Sequence, residues 1–520
     1  FNSEEVKYFD TKSPYTRMYV VWGGKGRAST RVEFSRNISP QWNFGFNYRP
    51  LLIDKQVQRR GKGDRQTISH YMDGYMAYKT KNDKYSALIN YRRIRHTVNE
   101  NGGVNVTKPD STYASLFEKN NATPKLSSAT SVEQRNNLHY FHQFKVGKGL
   151  QIYQKGDKGK QYNLYRDDMN KDSSYYDHFE KKLGKDSIKV KDSVKFAYWQ
   201  NEFGFKGNAK NLYYNAYYKL RSYQFSYKYL HPDSLAFSPK GKEHYAGAKV
   251  AYNFDSLNSV SGWVEYLLDG NYRFEGTLNS KWIDASARRL LSKPGFVQNA
   301  YRGSFDYWNN NFSNMQTDQA VAFLKAKIGP LFVSPGVTYT AYQKYIYYLS
   351  NNGLPSVDQQ VLPVQSSGKQ ILVAPELRMD FEFFRSFHFR PQVIYSKLLQ
   401  NDDKALRIPE LFVNSQIAFE DHMFKRSIEV QIGFDVHWHS AYTALGYDPA
   451  IQQFYVQDNV ISPAFPLVDI FLNGKIKTGK FFVKYHNFVQ LITQSGHLPT
   501  PNYPGQGNVL DFGFELLLFD

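Results

Sequence analysis

The sequence contains no cysteine, and this absence limits both its chemistry and the ways in which its fold can be stabilised. Disulfide bonds, thiolate nucleophiles and cysteine metal sites are all excluded. Long apolar runs are missing as well, since no window approaches the roughly 18 consecutive apolar residues of a transmembrane helix. The mean hydropathy of −0.59 agrees with this. The chain is therefore not a helical membrane protein.

Motifs of the common enzyme classes are also absent. The sequence has no G-x-S-x-G elbow, no phosphate-binding P-loop and no His-Glu-x-x-His zinc motif. Lys484, His486 and neighbouring carboxylates are the groups that an enzyme on a barrel wall would use, but the sequence does not show that they converge. We therefore predict that the chain is not an enzyme and has no cofactor.

Basic residues outnumber acidic ones, and the formal net charge is +19. Neither a helix-based recognition motif nor a dense basic tail accompanies this charge, so we predict no nucleic-acid partner. Lysine and arginine are instead spread through loops and strand ends. Such scattered charge suits an anionic membrane surface or a pore that attracts anions. Basic loops that are simply solvated are the alternative.

Aromatic residues are abundant, at 17% of the chain, and they occur in alternating segments. The stretch Ser427–His439 shows the pattern. Its even positions from Ile428 to Trp438 are apolar, and its odd positions from Glu429 to His439 are Gly433 and polar or charged residues. Side chains alternate across a strand, so one face of this strand is apolar and the other is polar. Many such segments in a chain of low mean hydropathy are typical of a transmembrane β-barrel. A barrel in lipid must close, because unpaired backbone groups are costly there.

Short turns alternate with long loops along the chain. We therefore predict an all-β fold, a single large antiparallel transmembrane β-barrel over residues 1–520 with an even number of about 16 to 22 strands. Its short turns are expected in the periplasm and its long loops outside, with a periplasmic N-terminal segment at residues 1–14. The charged stretch Lys155–Lys191 has little periodicity and is predicted to be an external loop. The predicted periplasmic turns are Asn37–Pro40, Lys81–Lys84, Phe384–Ser386 and Thr478–Lys480.

The alternation also assigns the two faces of the barrel wall. The residues predicted to face lipid are Trp42, Phe44, Phe46, Tyr48, Phe381, Phe383, Val430, Ile432, Phe434, Val436, Phe512 and Phe514. The residues predicted to line the pore are Glu376, Arg378, Asp380, Glu382, His388, Arg390, Glu429, Asp435, His437, Lys484 and His486. Opposed acidic and basic walls would create a transverse field that orients polar solutes, unless these charges only neutralise each other in a filled lumen. Under this assignment Phe434→Arg should block assembly, whereas Asp435→Arg should be tolerated.

Two patterns approach metal sites without completing them. His437 and His439 lie two residues apart on the polar face of one strand, a spacing that can bind a metal. Two hydrated histidines are the simpler interpretation. The stretch Asp168–Asp172 begins like a calcium loop, but Ser173 replaces the required glycine and Phe179 the required glutamate. We predict no metal site from either pattern.

The N-terminal sequence Ser13-Pro-Tyr-Thr16, followed by Phe34-Ser-Arg-Asn-Ile-Ser-Pro-Gln-Trp-Asn-Phe-Gly-Phe-Asn-Tyr48, resembles the opening of the "putative porin" family of Bacteroidota outer membranes. Asn99–Gly103, Gly276–Lys281 and Trp308–Asn314 are similar to later landmarks of that family. The resemblance spans most of the chain. It implies a β-barrel in the outer membrane of a Gram-negative bacterium and, by the family description, a pore.

These observations predict a porin for passive diffusion of small hydrophilic solutes, with a bias toward anions. The alternative is a structural or accessory barrel subunit of an outer-membrane secretion, assembly or uptake complex. The expected surroundings are outer-membrane lipid and lipopolysaccharide. Lipoproteins or other outer-membrane proteins are the expected protein partners.

Overall fold

Alternating residues form extended strands, and in the computed structural model these strands close into one antiparallel barrel. The structure describes residues 6–11, 13–57, 64–104, 122–176, 189–228, 238–350, 361–493 and 496–519. Within these ranges 22 strands pair with their sequence neighbours, and the last strand pairs with the first to close the barrel. The prediction of an all-β barrel with an even strand number is confirmed.

The barrel strands are numbered here in chain order, and two of them, β14 and β17, are each interrupted by one residue. They are β1 Tyr15–Gly23, β2 Arg27–Ser39, β3 Trp42–Asp54, β4 Arg65–Lys79, β5 Tyr85–Asn99, β6 Thr130–Lys145, β7 Gln151–Asp168, β8 Lys189–Ala209, β9 Leu212–Lys228, β10 Lys240–Asn253, β11 Ser259–Leu267, β12 Tyr272–Asn279, β13 Ile283–Ser292, β14 Met315–Leu324 with Ala326–Ile328, β15 Leu331–Gln343, β16 Lys369–Phe383, β17 Phe387–Tyr395 with Lys397–Asn401, β18 Leu411–Met423, β19 Ile428–His439, β20 Leu467–Ile476, β21 Gly479–His486 and β22 Val509–Phe519.

Connections alternate between the two ends of the barrel. The four turns predicted to be periplasmic all lie at one end, which we call the short-turn end. Several of these turns use left-handed residues other than glycine, such as Phe384 with a φ of 48° and Arg385 with a φ of 62°. The other end, the long-loop end, carries most of the residues outside the barrel strands. Its loops contain the short helices α1 Met169–Tyr176, α2 Phe296–Asn299 and α3 Val489–Thr493.

The stretch Lys155–Lys191 corrects one prediction, because much of it is not a loop. Strand β7 runs to Asp168 and β8 begins at Lys189, and the two strands are 18 and 21 residues long. The misleading signal was local, since glycine and lysine disfavour strands in isolation. Here Gly159 makes room for the ring of Tyr198, because a Cβ at this position would lie 2.2 Å from the Tyr198 ring. Pairing with neighbouring strands overrides the weak propensity.

Burial in the barrel is the reverse of burial in a soluble protein. Polar side chains of the strands are the buried ones, among them Glu33, Asn47, Asp73, Asn90, Arg92, Asp157, Glu202, Asp469 and Asp511. Large apolar side chains of the same strands are exposed, among them Phe46, Met72, Ile89, Phe203, Val250, Phe274, Ile432 and Phe512. An exposed apolar surface of this extent requires an apolar solvent. Within the described residues, no helix has the length and apolar character that crossing a membrane requires.

Candidate functional site

The lumen of the barrel is the candidate site. Its wall from β16 to β22, which we call the C-terminal wall, brings several of the predicted pore-lining residues together. Lys484 Nζ lies 2.8 Å from the Asp435 carboxylate and 3.1 Å from that of Asp469. His486 bridges two carboxylates, with Nδ1 at 3.0 Å from Asp469 and Nε2 at 3.2 Å from Asp511. Asp469 and Asp511 were not among the predicted residues. Their strands β20 and β22 flank β21, so strand order alone places them beside Lys484 and His486.

A second group of predicted residues meets nearer the short-turn end. Arg390 Nε lies 3.3 Å from the Asp380 carboxylate, and its Nη1 also pairs with Glu420. His388 Nδ1 is 3.3 Å from Asp380 as well. His388 and Glu420 also border a cavity of about 620 Å³. The acidic and basic groups of this wall therefore neutralise each other in pairs.

The remaining predicted pore residues are more scattered. Glu376 pairs with Arg378 and accepts a hydrogen bond of 2.6 Å from Gln392. Glu429 pairs with Lys475 at 2.8 Å near a short turn. Glu382 and His437 lie on β16 and β19, where their register partners include His388 and Asn414. His439 contacts the Ser440 carbonyl at 3.0 Å, and the described residues contain no group of three or more metal-ligand side chains.

The residues predicted to face lipid lie on strands of the barrel wall. Seven are exposed: Trp42, Phe46, Tyr48, Phe381, Ile432, Phe434 and Phe512. Phe44, Phe383, Val430, Val436 and Phe514 are half-buried. Rings on neighbouring strands pack against each other, as Trp22 does with Phe512 at 5.5 Å and with Phe514 at 5.7 Å between centroids.

The wall from β5 to β11, which we call the N-terminal wall, carries a surface that contains none of the predicted pore-lining residues. Tyrosine, tryptophan and lysine side chains line a cavity of about 500 Å³ there. Tyr217 donates a hydrogen bond of 2.7 Å to Glu265 and receives one of 2.9 Å from the Trp263 indole. The alternation in β9 already places Tyr213, Asn215, Tyr217, Lys219 and Arg221 on one face. The tyrosine-rich composition of that strand was therefore the available signal.

The N-terminal segment packs against the lumen wall near the short-turn end. The hydroxyl of Tyr8 accepts a hydrogen bond of 2.7 Å from Asn90, and the Phe9 amide donates one of 3.2 Å to Tyr75. Asp10 pairs with Lys79 at 2.9 Å. Residues 6–11 thus extend along strands β2 to β5. They also place Val6 and Tyr8 at the edge of the aromatic cavity of the N-terminal wall.

Loops of the long-loop end pack together into a structure that we call the cap. One apolar cluster contains Leu126, Ala129, Tyr165, Tyr176, Val190, Phe305 and Ala450. A second contains Tyr301, Trp308, Tyr348, Val361 and Ile451. These residues come from segments up to about 300 positions apart, yet their hydrogen bonds are specific, since Ser304 binds the Asp192 carboxylate through both its amide and its hydroxyl at 2.9 Å. Tyr165 and Val190 lie at the ends of β7 and β8, so the cap packs directly on the wall strands.

Beneath the cap lies a cavity of about 620 Å³ that contains buried acid groups. Glu100 follows β5 and borders this cavity, and burial raises the pKa of its carboxyl to about 7. Asp448 accepts a hydrogen bond of 2.8 Å from the Ala450 amide, and burial raises the pKa of the Asp448 carboxyl as well. Each of these two carboxyls also disfavours ionisation of the other when both are charged. Burial therefore favours the protonated forms of both carboxyls.

The barrel resembles solved outer-membrane receptors and transporters. A structure described as the copper transporter OprC superposes with a TM-score of 0.69 and 9% identity, over 99% of this chain and 82% of that one. The ferric enterobactin receptor PfeA of Pseudomonas aeruginosa gives 0.66 and 10%, over 98% and 81%. BauA, the ferric preacinetobactin receptor of Acinetobacter baumannii, gives 0.62 and 11%, over 98% and 80%. No curated protein matches the chain.

These similarities correct the prediction of a general diffusion porin, because the barrels that this chain resembles are specific receptors and transporters. Strand periodicity could not reveal this, since it is the same in a porin barrel and in a receptor barrel.

The prediction that the chain is not an enzyme is confirmed by its family and by these neighbours. So is its location in the outer membrane of a Gram-negative bacterium, where lipid surrounds the barrel. A family model described as "Putative porin" matches residues 1–520, and the chain therefore belongs to that family.

Proposed function

We propose that this barrel is a receptor-type transporter, which takes up a specific polar solute through a lumen that is closed at rest. The proposal rests on the apolar packing of the cap at the long-loop end. Its two apolar clusters bury Tyr165, Trp308 and Val361 almost completely, as in the core of a soluble domain. An open diffusion channel has no need for such a core at its mouth.

The cap is tied to the barrel wall at several points. The Gln452 side chain donates to the Leu164 carbonyl on β7, and Asn163 of the same strand contacts Gln452 at 3.3 Å. Ser304 binds Asp192 on β8 through its amide and its hydroxyl at 2.9 Å. A cap with these attachments moves as a unit. Gating then requires rearranging it rather than displacing one loop.

Below the cap, the lumen offers a polar route lined by charged residues. We propose that the pore-lining residues are Glu376, Arg378, Asp380, Glu382, His388, Arg390, Glu429, Asp435, His437, Lys484 and His486. Their ion pairs orient a polar solute without presenting one sign of charge throughout. The neighbouring receptors and transporters handle iron compounds and copper, and a selective solute is the parallel that we propose here.

The outer surface sets the orientation in the membrane. We propose that hydrocarbon contacts Trp42, Phe44, Phe46, Tyr48, Phe381, Phe383, Val430, Ile432, Phe434, Val436, Phe512 and Phe514. The short-turn end then faces the periplasm, and the cap meets the lipopolysaccharide layer outside.

Electrical recording in planar bilayers tests the proposal. We expect the purified native protein to show no steady ohmic current, because the cap covers the lumen. Replacing both Tyr301 and Trp308 with alanine removes two large side chains of the second cluster and should produce open-channel current. The matched control replaces Trp282 and Phe424, two exposed aromatic residues at the short-turn end, and should remain closed. Steady ohmic current through the native protein would refute a lumen that is closed at rest.

A further inference from the structure

The aromatic cavity of the N-terminal wall is lined by two lysines, Lys206 and Lys249, that contact aromatic rings. Nearby Lys155 pairs with Glu202 at 3.1 Å, and Lys219 pairs with Glu265 at 2.5 Å. These pairs neutralise the two glutamates of the cavity lining. Lys206 and Lys249 have no carboxylate partner among the described residues.

Aromatic faces take the place of the missing carboxylates. Lys206 Nζ lies 4.7 Å from the centre of the Phe141 ring and 5.5 Å from that of Tyr153. Lys249 Nζ lies 4.3 Å from the Trp263 ring. Such cation–π contacts stabilise an ammonium group less than charge-assisted hydrogen bonds to an anion do. Both ammonium groups therefore remain available to a stronger, anionic partner.

Strand register places the two lysines in one row. Lys206 on β8 is directly opposite Asn215 on β9, which is opposite Lys249 on β10. Neighbouring strands are spaced by about 4.8 Å, so the lysine Cα atoms are separated by about 10 Å with an amide between them. The Asn215 side-chain oxygen lies 3.0 Å from the Tyr153 hydroxyl, which leaves the amide nitrogen as a donor. The row presents cation, amide and cation.

Glycines on the adjacent row keep space above these groups. A Cβ at Gly204 would lie 2.7 Å from the Tyr153 ring, and one at Gly247 would lie 2.2 Å from the Tyr217 ring. Because both positions are glycine, the two rings lie close against the wall rather than across the lumen. The cavity of about 500 Å³ that remains has room for a small organic molecule.

We propose that Lys206, Asn215 and Lys249 bind a small ring-bearing organic anion. Its phosphate or carboxylate lies between the two ammonium groups, and its ring lies on the neighbouring aromatic side chains. The inference rests on the proposed function, because it names the chemical class of solute that the transporter accepts. Sugar phosphates and sugar acids share this chemistry.

Calorimetric titration of the full chain in detergent at low ionic strength tests the proposal. The probes are glucose 6-phosphate and glucuronate, with glucose as the neutral control. We expect the native protein to bind at least one of the two anions and not glucose. Replacing both lysines, as Lys206→Gln with Lys249→Gln, should weaken that binding about 10- to 100-fold, the usual effect of losing charged hydrogen bonds. The arginine pair at the same positions should retain most of the affinity.

The matched control, Lys148→Gln with Lys210→Gln, removes the same charge from two exposed turn residues at the same end of the barrel. It should leave the affinity unchanged. Failure of both anions to bind, equal binding of glucose, or equal weakening by the control would overturn the proposal. Each single glutamine variant provides the comparison if the double variant does not fold, as judged by its heat-dependent gel mobility.

Conductance separates this inference from the proposed function. A native protein that binds the anion but conducts steadily would refute the closed transporter and leave the binding site in place. A closed protein that binds neither anion would refute the binding site alone.

Discussion

The barrel wall and the cap use opposite burial within one chain. In the wall, Asp469 and Asp511 are buried while Phe434 and Phe512 are exposed. In the cap, Trp308 and Val361 are buried in the manner of a soluble core. These opposite burial patterns indicate that the wall and the cap are stabilised in different solvents. The wall depends on hydrocarbon outside and hydrated ion pairs inside, whereas the cap depends on water outside and apolar contacts inside.

The largest effect is expected from reversing the wall. Phe434 is 44% exposed. If it faces hydrocarbon as proposed above, Phe434→Arg would place a charge there at a cost of about 2–4 kcal/mol near the midplane. We expect loss of assembled protein from the outer membrane, measured by heat-dependent gel mobility of membrane fractions.

The matched change on the next residue should be much milder. Asp435 accepts hydrogen bonds from Gln416 at 2.9 Å and Lys484 at 2.8 Å, so Asp435→Asn keeps a polar side chain in the lumen. We choose asparagine because arginine would place a second cation beside Lys484. Normal assembly of Phe434→Arg would show that Phe434 does not face hydrocarbon and that the two faces are wrongly assigned.

The next largest effect is expected in the cap, with the barrel wall unchanged. Trp308 is 5% exposed, stacks on Tyr301 at 4.8 Å and donates to the Val297 carbonyl at 2.7 Å. Trp308→Ala should destabilise the cap by about 3–5 kcal/mol, the usual cost of removing a large buried ring. Limited proteolysis should then cleave the long loops while the barrel retains its heat-dependent mobility. Trp282→Ala, at an exposed position, is the control. Joint unfolding of barrel and cap would contradict the expectation that the barrel remains folded when the cap is destabilised.

The wall was largely predictable from sequence because its signal is local. Alternation over a dozen residues separates Phe434 from Asp435 and Phe381 from Asp380, and strand order then predicts which charges meet. That order brings Lys484 beside Asp435, two strands away. The glycine-containing part of β7 from Lys155 to Asp168 was predicted to be a loop because its stability comes from partners on β6 and β8 rather than from its own residues.

The cap could not be predicted, because its contacts join residues that are distant in sequence. Asp192 binds Ser304 across 112 positions, and Asn163 contacts Gln452 across 289. No periodicity marks such pairs. Without the cap, the alternating wall suggested an open porin. The tyrosine-rich lumen surface was visible in β9, but its use depends on lysines from β8 and β10.

Titration of Glu100 should affect the cap and leave the wall unchanged. The pKa of its carboxyl rises from 4.5 to about 7 on burial. A raised pKa means that the folded cap favours the protonated form. This stabilisation is complete below about pH 4.5 and is lost as the pH rises to about 7, by up to about 3 kcal/mol.

Protease protection of the long loops should therefore be greater at pH 5 than at pH 8. Glu100→Gln should reduce this dependence, since glutamine stays neutral, and the part that remains would come from the Asp448 carboxyl. Glu382→Gln, a carboxylate change on the wall near the short-turn end, should preserve it. Identical protection of the native protein at both pH values would contradict a role for the buried acid.

The smallest effect is expected where the N-terminal segment meets the wall, because that contact uses few groups. Tyr8 receives the Asn90 hydrogen bond of 2.7 Å, and its ring meets that of Tyr75 edge-on at 4.9 Å. Tyr8→Phe keeps the ring contact and removes the hydrogen bond, so we expect local destabilisation of about 1 kcal/mol. Faster amide exchange at Phe9, with unchanged exchange in β4 and in the cap, would be the readout. Phe9→Leu, which removes the stacking on Tyr15 instead, separates ring contacts from hydrogen bonding in the same segment. Unchanged exchange in the Tyr8→Phe protein would mean that ring packing alone holds these residues against the wall.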